Sequence, residues 1–287
     1  MKLLILIVLI MSVIILTYLG MIMPGHRSAE CWLPFKEYLY ANRGLFNNSS
    51  EAPENSEAAF RKAVNRGYGI ELDVQLTKDH RVVVFHDFTA SRILRDSSGR
   101  PVPGKIRDYT LAQLKEFTLL GSSERIPLFA DVLKLVNGRV PLIVEMKIDH
   151  LDWRARVCPK ADQLLRDYKG KYIVESFHPC GVFWYRRNRP DILRGQLSDK
   201  FIKDRSNPKR HFILYFMMEY LLFNFLTRPD FIAYNRKYKS NLSRRLCRGL
   251  YKNTAAAWTV RSQKQLLQAR KDFDLYIFDS FIPEEHI

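Results

Sequence analysis

Short apolar runs alternate with amphipathic stretches along most of the chain. The short runs are bounded by Gly, Pro or polar residues, which is typical of buried strands, and the stretches between them favour helices. The predicted strands are Tyr38–Arg43, Ile70–Val74, Pro141–Lys147, Tyr172–Phe177, Leu193–Leu197, Phe231–Tyr234, Ala255–Val260 and Leu275–Phe278.

The stretches between these strands contain helix start signals. Asn55 or Ser56 can cap a helix that ends near Gly67, and Thr110 can cap a second helix over Leu111–Leu119. Further helices are predicted over Pro127–Val136, Arg156–Tyr168 and Ser262–Lys271. Eight strands separated by helices predict an α/β fold, a TIM-type (β/α)8 barrel whose functional site lies at the carboxyl ends of the strands.

The amino terminus follows a different pattern. Leu3 to Met23 is an almost uninterrupted apolar run, long enough to cross a bilayer, and no convincing cleavage site follows it. We therefore predict a single-pass N-terminal transmembrane helix, with the side of the membrane left open. The predicted organisation is an anchor over residues 1–25, a linker over 26–37 and a barrel domain over 38–287.

One later segment fits the barrel pattern poorly. Phe212–Leu226 is apolar apart from Glu219 and Asn224, but it is too short for a second membrane span. It is either a buried barrel helix or an interfacial helix or hydrophobic lid that touches lipid.

The net charge is +16 and is unevenly distributed. Residues 200–252 contain 13 Lys or Arg and 3 Asp or Glu, a net charge of +10. In an anchored protein such a segment can lie against anionic lipid headgroups. Nucleic acid would also be attracted, but the chain has no recognition-helix, aromatic RNA-binding or zinc-finger pattern, so no nucleic-acid partner is expected.

The stretch Ile70–Asp87 contains paired carboxylates and a histidine, which are typical of a metal-binding or catalytic site. Glu71 and Asp73 are two residues apart, so on a strand their side chains share one face. A polar turn centred near Asp79 and His80 predicts a hairpin that sets Asp73 opposite His86. Adjacent carboxylates repel each other unless a cation joins them, although an ordinary hairpin with exposed charges would have the same sequence.

Other predicted strands also end in polar residues, and a barrel would bring these ends to one mouth. Glu71, Asp73 and Glu145 could hold one hard divalent ion, whereas Arg43 and Lys147 suit a phosphate. A metal, a phosphate clamp and the His86 proton shuttle, oriented by Asp87, together describe metal-assisted cleavage of a phosphodiester. In the simpler alternative, the two cations only neutralise the carboxylates.

The chain resembles the glycerophosphodiester phosphodiesterase family of TIM-barrel, phospholipase C-like phosphodiesterases. The resemblance covers about residues 38–283. It implies hydrolysis of glycerophosphodiesters to glycerol 3-phosphate and an alcohol with one Mg²⁺ or Ca²⁺. The matching stretches are NRG at Asn42–Gly44, APENSEAAF at Ala52–Phe60, ELDVQLTKD at Glu71–Asp79, FHD at Phe85–Asp87, IVEMK at Ile143–Lys147, ESF at Glu175–Phe177, AWTV at Ala257–Val260 and IFDS at Ile277–Ser280.

The resemblance also implies residue roles, with one departure from the family pattern. It implies that Glu71, Asp73 and Glu145 are metal ligands, that Arg43 and Lys147 bind phosphate, and that His86 is one of two catalytic histidines. The other histidine is replaced by Asn42, which cannot carry a proton near neutral pH. The chain is then an inactive member, an active one with a substitute proton carrier, or an engineered variant. The candidate substitutes are His80 and, better placed, His178.

These observations leave three functions open. The first is metal-dependent hydrolysis of glycerophosphodiesters, impaired at Asn42. The second is an inactive protein that binds phosphodiesters or lipid headgroups. The third is lysophospholipase D-like activity on membrane lysophospholipids, suggested by the anchor and by Phe212–Leu226.

Overall fold

The computed structural model describes residues 1–149, 152–204 and 211–284. Its centre is a ring of parallel strands. The strands, in chain order, are β1 (Leu39–Asn42), β2 (Gly69–Leu76), β6 (Leu142–Met146), β7 (Tyr172–Ser176), β8 (Arg194–Ser198), β9 (Phe231–Asn235), β10 (Thr254–Val260) and β11 (Leu275–Phe278). Because β1 pairs with both β2 and β11, the ring is closed. The eight predicted strands and the TIM-type barrel are therefore confirmed.

Helices cover the outside of the barrel between successive strands. They are α3 (Glu57–Asn65), α4 (Leu111–Leu114), α5 (Phe129–Val136), α6 (Val157–Leu165), α7 (Pro179–Asn188), α8 (Phe212–Glu219), α9 (Asn224–Thr227), α10 (Leu242–Gly249) and α11 (Gln263–Ala269). The first of these is capped as predicted, because the Ser56 hydroxyl accepts a hydrogen bond of 3.1 Å from the Ala59 N–H. Its buried side consists of Ala59, Phe60, Ala63 and Val64.

An excursion follows β2 and carries the antiparallel strands β3 (Val82–Val84), β4 (Leu94–Arg95) and β5 (Thr118–Leu119). The prediction of a helix over Leu111–Leu119 was wrong beyond Leu114. Thr118 and Leu119 instead pair with β4, because a small apolar cluster of the excursion buries Leu94, Leu114 and Leu119 together. Local helix preference is overridden here by contacts within the excursion.

The chain begins with helix α1 (Lys2–Ile22), which is long and apolar enough to cross a membrane. The large apolar side chains of its first four turns are exposed, whereas Ile22 is fully buried against the barrel. Asn224 donates a hydrogen bond of 2.8 Å to the Ile22 carbonyl, and the Tyr251 hydroxyl donates one of 2.9 Å to the Leu19 carbonyl. The apolar helix is thus tied to the outer helices at its carboxyl end.

The segment predicted as a linker, residues 26–37, is folded and includes α2 (Leu33–Lys36). It buries Trp32 and Phe35 among the side chains at the amino ends of the strands. The Trp32 ring meets that of Phe231 edge-on, with centroids 5.8 Å apart. This segment therefore closes the floor of the barrel, at the end opposite the predicted site.

Trp32 should consequently contribute strongly to stability. Replacing it with Ala is expected to lower the free energy of unfolding by about 3–5 kcal/mol, because a buried aromatic side chain is lost and a cavity is left behind. Leu33→Ala is the matched control, because Leu33 is next to Trp32 in the sequence and its own side chain is 60% exposed. Urea denaturation of the full chain measures both variants. Equal effects of the two substitutions would show that the floor segment does not stabilise the barrel.

Of the two alternatives predicted for Phe212–Leu226, the buried barrel helix was wrong. The segment contains two helices, α8 and α9, and the side chains of Phe212 and Ile213 are 52% and 74% exposed. Only part of it is anchored, because Glu219 is buried and accepts a hydrogen bond of 3.0 Å from the Ile202 N–H. An apolar surface is therefore left exposed beside strand β8.

Candidate active site

The loop after β1 begins the site. Arg43 and Gly44 both have positive φ, 55° and 80°, so the chain turns sharply after Asn42. A Cβ at Gly44 would lie 2.9 Å from the backbone of Ala59, so only glycine allows this close approach of α3. The turn directs the Arg43 N–H toward Glu71, whose carbonyl accepts at 2.8 Å and whose carboxylate lies at 3.2 Å.

A row of carboxylates crosses three neighbouring strands. The parallel register sets Asp73 of β2 beside Glu145 of β6, and Glu145 beside Glu175 of β7. Glu71 lies two residues before Asp73 and on the same face. Glu71, Asp73 and Glu145 each offer one oxygen within 4.8 Å of the others. These three side chains and that of Glu175 are buried. The predicted acidic triad is therefore brought together by strand register.

Two cations lie against this row. The Lys147 ammonium is 2.9 Å from Glu145 and 3.6 Å from Asp73, and its side chain is buried. The Arg43 guanidinium is 3.6 Å from Asp73 and 2.7 Å from Glu54. Within the described residues, both cations act as internal counter-ions, which agrees with the simpler alternative from the sequence. The same positions would also place them beside an ion or a phosphate bound at the triad.

The carboxylates of the row have different proton affinities. Burial raises the pKa of Glu71 well above its usual range, with Asp73, Glu175 and Glu145 adding to the rise. Burial also raises the pKa of Glu145 and Glu175. Burial acts in the same direction on Asp73, but the positive charges of His86, Lys147 and Arg43 outweigh it and lower its pKa. If all four carboxylates were ionised, they would carry more negative charge than Arg43 and Lys147 neutralise, and a divalent ion bound among them would favour their ionised forms.

His86 lies at the rim, although not in the predicted register. The hairpin pairs Val74 with Val84, and the Phe85 N–H donates to the Asp73 carbonyl at 2.9 Å. Phe85 rather than His86 is thus opposite Asp73, because the turn is centred on Asp79. The His86 side chain still reaches the same cavity as the acidic triad.

A chain of hydrogen bonds holds the His86 ring. Its Nδ1 is 2.6 Å from Asp87, which pairs with Arg92 at 2.5 Å. Arg92 also donates to both oxygens of Glu54, at 2.8 and 2.7 Å, and Glu54 pairs with Arg43. A carboxylate at Nδ1 orients the ring and leaves Nε2 for proton transfer, as a general acid or base requires.

Asn42 has an acidic partner of its own. Its amide nitrogen donates to Asp279 at 3.3 Å, and Asp279 pairs with Arg261 at 2.9 Å. The proposed substitute proton carriers lie elsewhere. His80 is exposed at the hairpin turn, and His178 is buried, where its Nδ1 accepts the Cys180 N–H at 3.2 Å and caps α7. Among the described residues, His86 is the one histidine that lines the mouth cavity.

The mouth cavity has a volume of about 340 Å³. Its lining includes six of the seven residues predicted for the site, and the seventh, Lys147, contacts two of them. The donor set fits a hard divalent cation, since three buried carboxylates converge on it. Moreover, one oxygen each of Asp73 and Glu175 is buried and accepts no hydrogen bond from the described residues. The Glu175 oxygen is therefore available to a cation, whereas the Asp73 oxygen also lies 3.6 Å from the Lys147 ammonium.

Three residues of the site were missed in the sequence analysis. Glu175 lies close to the end of the predicted strand Tyr172–Phe177, and that position could have indicated it. Glu54 lies in a loop between β1 and α3, and Asp279 follows the last strand. Glu54 contacts Arg43 within that loop, and Asp279 contacts Asn42 from the far end of the chain; spacing alone gives neither contact.

The model of the glycerophosphoryl diester phosphodiesterase family matches residues 43–271, most of the chain. The chain therefore belongs to this family. The glycerophosphodiester phosphodiesterase of Caldanaerobacter subterraneus is 38% identical over 172 residues, which cover 56% of this chain and 67% of that protein. That of Bacillus altitudinis is 30% identical over 164 residues, 54% of this chain and 63% of that protein. The chain thus spans about two thirds of the length of these relatives.

Solved structures share the fold. An Oleispira antarctica phosphodiesterase, in complex with the product sn-glycerol-3-phosphate, has a TM-score of 0.65 at 20% identity, covering 88% of this chain and 96% of that one. A glycerophosphodiester phosphodiesterase from Thermotoga maritima has a TM-score of 0.57 at 24% identity, covering 85% and 95%. At these identities the likeness shows the shared barrel.

Proposed function

We propose that this chain hydrolyses glycerophosphodiesters to glycerol 3-phosphate and an alcohol, at a low rate because Asn42 replaces one proton carrier. The observation that supports this most is the shared mouth of the buried triad, two cations and His86. Family membership supports the substrate class. The apolar helix α1 supports a single-pass anchor over residues 1–25, with residues 26–37 and 38–287 forming the catalytic part at the membrane.

Each residue has a role in this proposal. Glu71, Asp73 and Glu145 hold one Mg²⁺ or Ca²⁺, which when bound polarises a phosphoryl oxygen and neutralises developing charge. Arg43 and Lys147 bind the phosphate oxygens, Arg43 as a planar donor and Lys147 as a point charge.

The proton transfers fall to His86. Asp87 fixes its ring, so that Nε2 can give a proton to the leaving alcohol or take one from the attacking water. Asn42, which also lines the cavity, can donate or accept a hydrogen bond but cannot carry a proton. One of the two proton transfers is then left to solvent, and this is the reason for the low rate.

An assay of the full chain in detergent tests the function. Glycerol 3-phosphate release from glycerophosphocholine is measured before and after EDTA, and again after Mg²⁺ or Ca²⁺ is restored. The proposal expects slow release that EDTA stops and one of the two ions restores. Release that is unaffected by EDTA would exclude the metal-dependent reaction.

Glu175 provides a separate test of the metal site. We expect Glu175→Gln to weaken binding of the divalent ion about tenfold, because a buried carboxylate beside Glu145 is neutralised. The metal-free variant should melt at a higher temperature than wild type at pH 8. Since burial raises the pKa of Glu175, its charged form destabilises the fold as pH rises, and the difference should vanish near pH 4.

Calorimetric titration with Ca²⁺ or Mg²⁺ and thermal denaturation measure the two effects of Glu175→Gln. Glu116→Gln, at an exposed position, is the matched control. A variant that binds the ion as tightly as wild type would show that Glu175 does not contribute to the metal site.

A second candidate function, lysophospholipase D-like activity, is favoured by the apolar surface of α8. Phe212, Ile213 and Phe216 are exposed on this helix. A line of aromatic rings connects it to the mouth, because Phe201 stacks on Tyr215 of α8 and meets Phe177 of the cavity lining at 5.9 Å. An acyl chain on the substrate could lie along this path.

Replacing Phe212, Ile213 and Phe216 with Ser should therefore discriminate between substrates. We expect kcat/KM for lysophosphatidylcholine to fall about tenfold, since the loss of apolar contact area weakens binding of the acyl chain. The value for glycerophosphocholine should not change. Leu242→Ser with Leu267→Ser is the control, because both side chains are exposed on other helices. An equal fall for both substrates would argue against an acyl-chain surface.

A further inference from the structure

A second cavity of about 220 Å³ adjoins the mouth. It lies between the ends of β2 and β6, the excursion after β3 and the start of α6. Its lining is strongly basic, with five Lys or Arg side chains against two carboxylates, those of Asp149 and Asp152. The five cations are Lys78, Lys105, Arg107, Lys147 and Arg156.

The two cavities share a wall. Lys147 lines the second cavity, while its ammonium contacts Glu145 and Asp73 of the acidic triad at 2.9 and 3.6 Å. The Phe88 ring lies 5.9 Å from the same ammonium and also lines the second cavity. Only the Lys147 side chain would therefore separate the basic cavity from a phosphodiester bound at the triad.

The carboxylates of the cavity do not balance its cations. Asp149 lies 3.3 Å from both the Lys105 ammonium and the Arg107 guanidinium, and Asp152 lies 3.3 Å from Arg156. The ion pairs within the described ranges include none with Lys78. Lys105 and Arg107 are 41% and 49% exposed, so both can turn toward a ligand. Even without Lys147, which pairs with Glu145 and Asp73, four cations face two carboxylates, so the cavity keeps a net positive charge and includes Arg donors that suit an oxyanion.

We propose that this cavity binds an anionic group, a phosphate or a carboxylate, on the alcohol half of the substrate. This inference rests on the proposed function. The glycerol half of a glycerophosphodiester carries no further charge, so a second anion must belong to the alcohol. The preferred substrates are then phosphodiesters whose alcohol is itself acidic, and alcohols that are neutral or cationic are poorer.

A matched pair of substrates tests the proposal. Glycerophosphoglycerol and the same molecule with a terminal phosphate differ in one anionic group, and both are assayed with the full chain in detergent. We expect wild type to favour the phosphorylated substrate at least about tenfold in kcat/KM, the usual size of a charge-assisted contact. Lys105→Gln combined with Arg107→Gln should remove this preference and leave the rate on glycerophosphoglycerol unchanged.

Arg61→Gln combined with Lys134→Gln is the control, because it removes the same charge from the outer faces of α3 and α5. Its preference should remain that of wild type. Equal kcat/KM for the two substrates in wild type, or a preference that survives in the cavity variant, would overturn the proposal.

Failure of the proposed function can be told apart from failure of the cavity proposal. If no substrate is cleaved, calorimetric titration with the same two molecules measures binding. Tighter binding of the phosphorylated molecule, lost in the cavity variant and kept in the control, supports the anion cavity without catalysis. Equal binding of the two molecules refutes it.

Discussion

Replacing Asn42 with histidine is expected to raise hydrolysis of glycerophosphocholine by roughly 10²- to 10⁴-fold, the usual contribution of a general acid or base. The rest of the site is in place for this gain. Asp279 already lies 3.3 Å from the Asn42 amide, so a histidine there would have a carboxylate to orient its ring, as Asp87 does for His86. The lining of the cavity would then contain two proton carriers.

Initial rates of glycerol 3-phosphate release measure this gain. Asn42→Gln is the control, because it changes the size of the side chain without supplying a proton carrier. A wild-type rate equal to that of Asn42→His would mean that another group already carries the proton. Binding of glycerophosphocholine without turnover in either protein would favour the alternative of an inactive phosphodiester-binding protein.

The second large effect is expected from Glu71→Ala. In the Asn42→His background this change should lower kcat/KM by about 10²- to 10³-fold, because metal-based charge stabilisation supplies several kcal/mol. Glu71 is buried between Arg43 and the other carboxylates, and removing it leaves two ligands of the triad. Calorimetric titration should show a matching loss of affinity for the divalent ion.

The control for Glu71→Ala is Glu57→Ala. Glu57 lies on the outer helix α3 and forms only a partly exposed ion pair with Arg61. Glu57→Ala should leave both the rate and the metal affinity unchanged. If Glu71→Ala binds the ion normally and keeps its rate, the assigned ligand set is wrong.

Most of the fold could be predicted from the sequence, because buried strands and amphipathic helices have distinct apolar periods. The prediction failed where tertiary contacts decide the outcome. Residues Thr118–Leu119 pair with β4 instead of continuing a helix. Phe212–Leu226 looked like a core helix by composition, yet α8 exposes large apolar side chains. Composition cannot tell a buried face from one that is available to lipid.

The site was predictable where strand register fixes it. Glu71, Asp73 and Glu145 stand at the ends of strands that are adjacent in the barrel, so their convergence follows from the fold. The partner of Asn42, Asp279, comes from a loop at the far end of the chain. The position of His86 was predicted one residue out of register, because the turn centre cannot be read from sequence to within half a residue.

The most direct test of the central claim is glycerol 3-phosphate release from glycerophosphocholine by the full-length Asn42→His protein, with and without EDTA. The proposed mechanism predicts rapid release that EDTA abolishes, that Mg²⁺ or Ca²⁺ restores, and that is far slower in wild type under the same conditions. Release that persists in EDTA, or no release from Asn42→His with either ion, would contradict it.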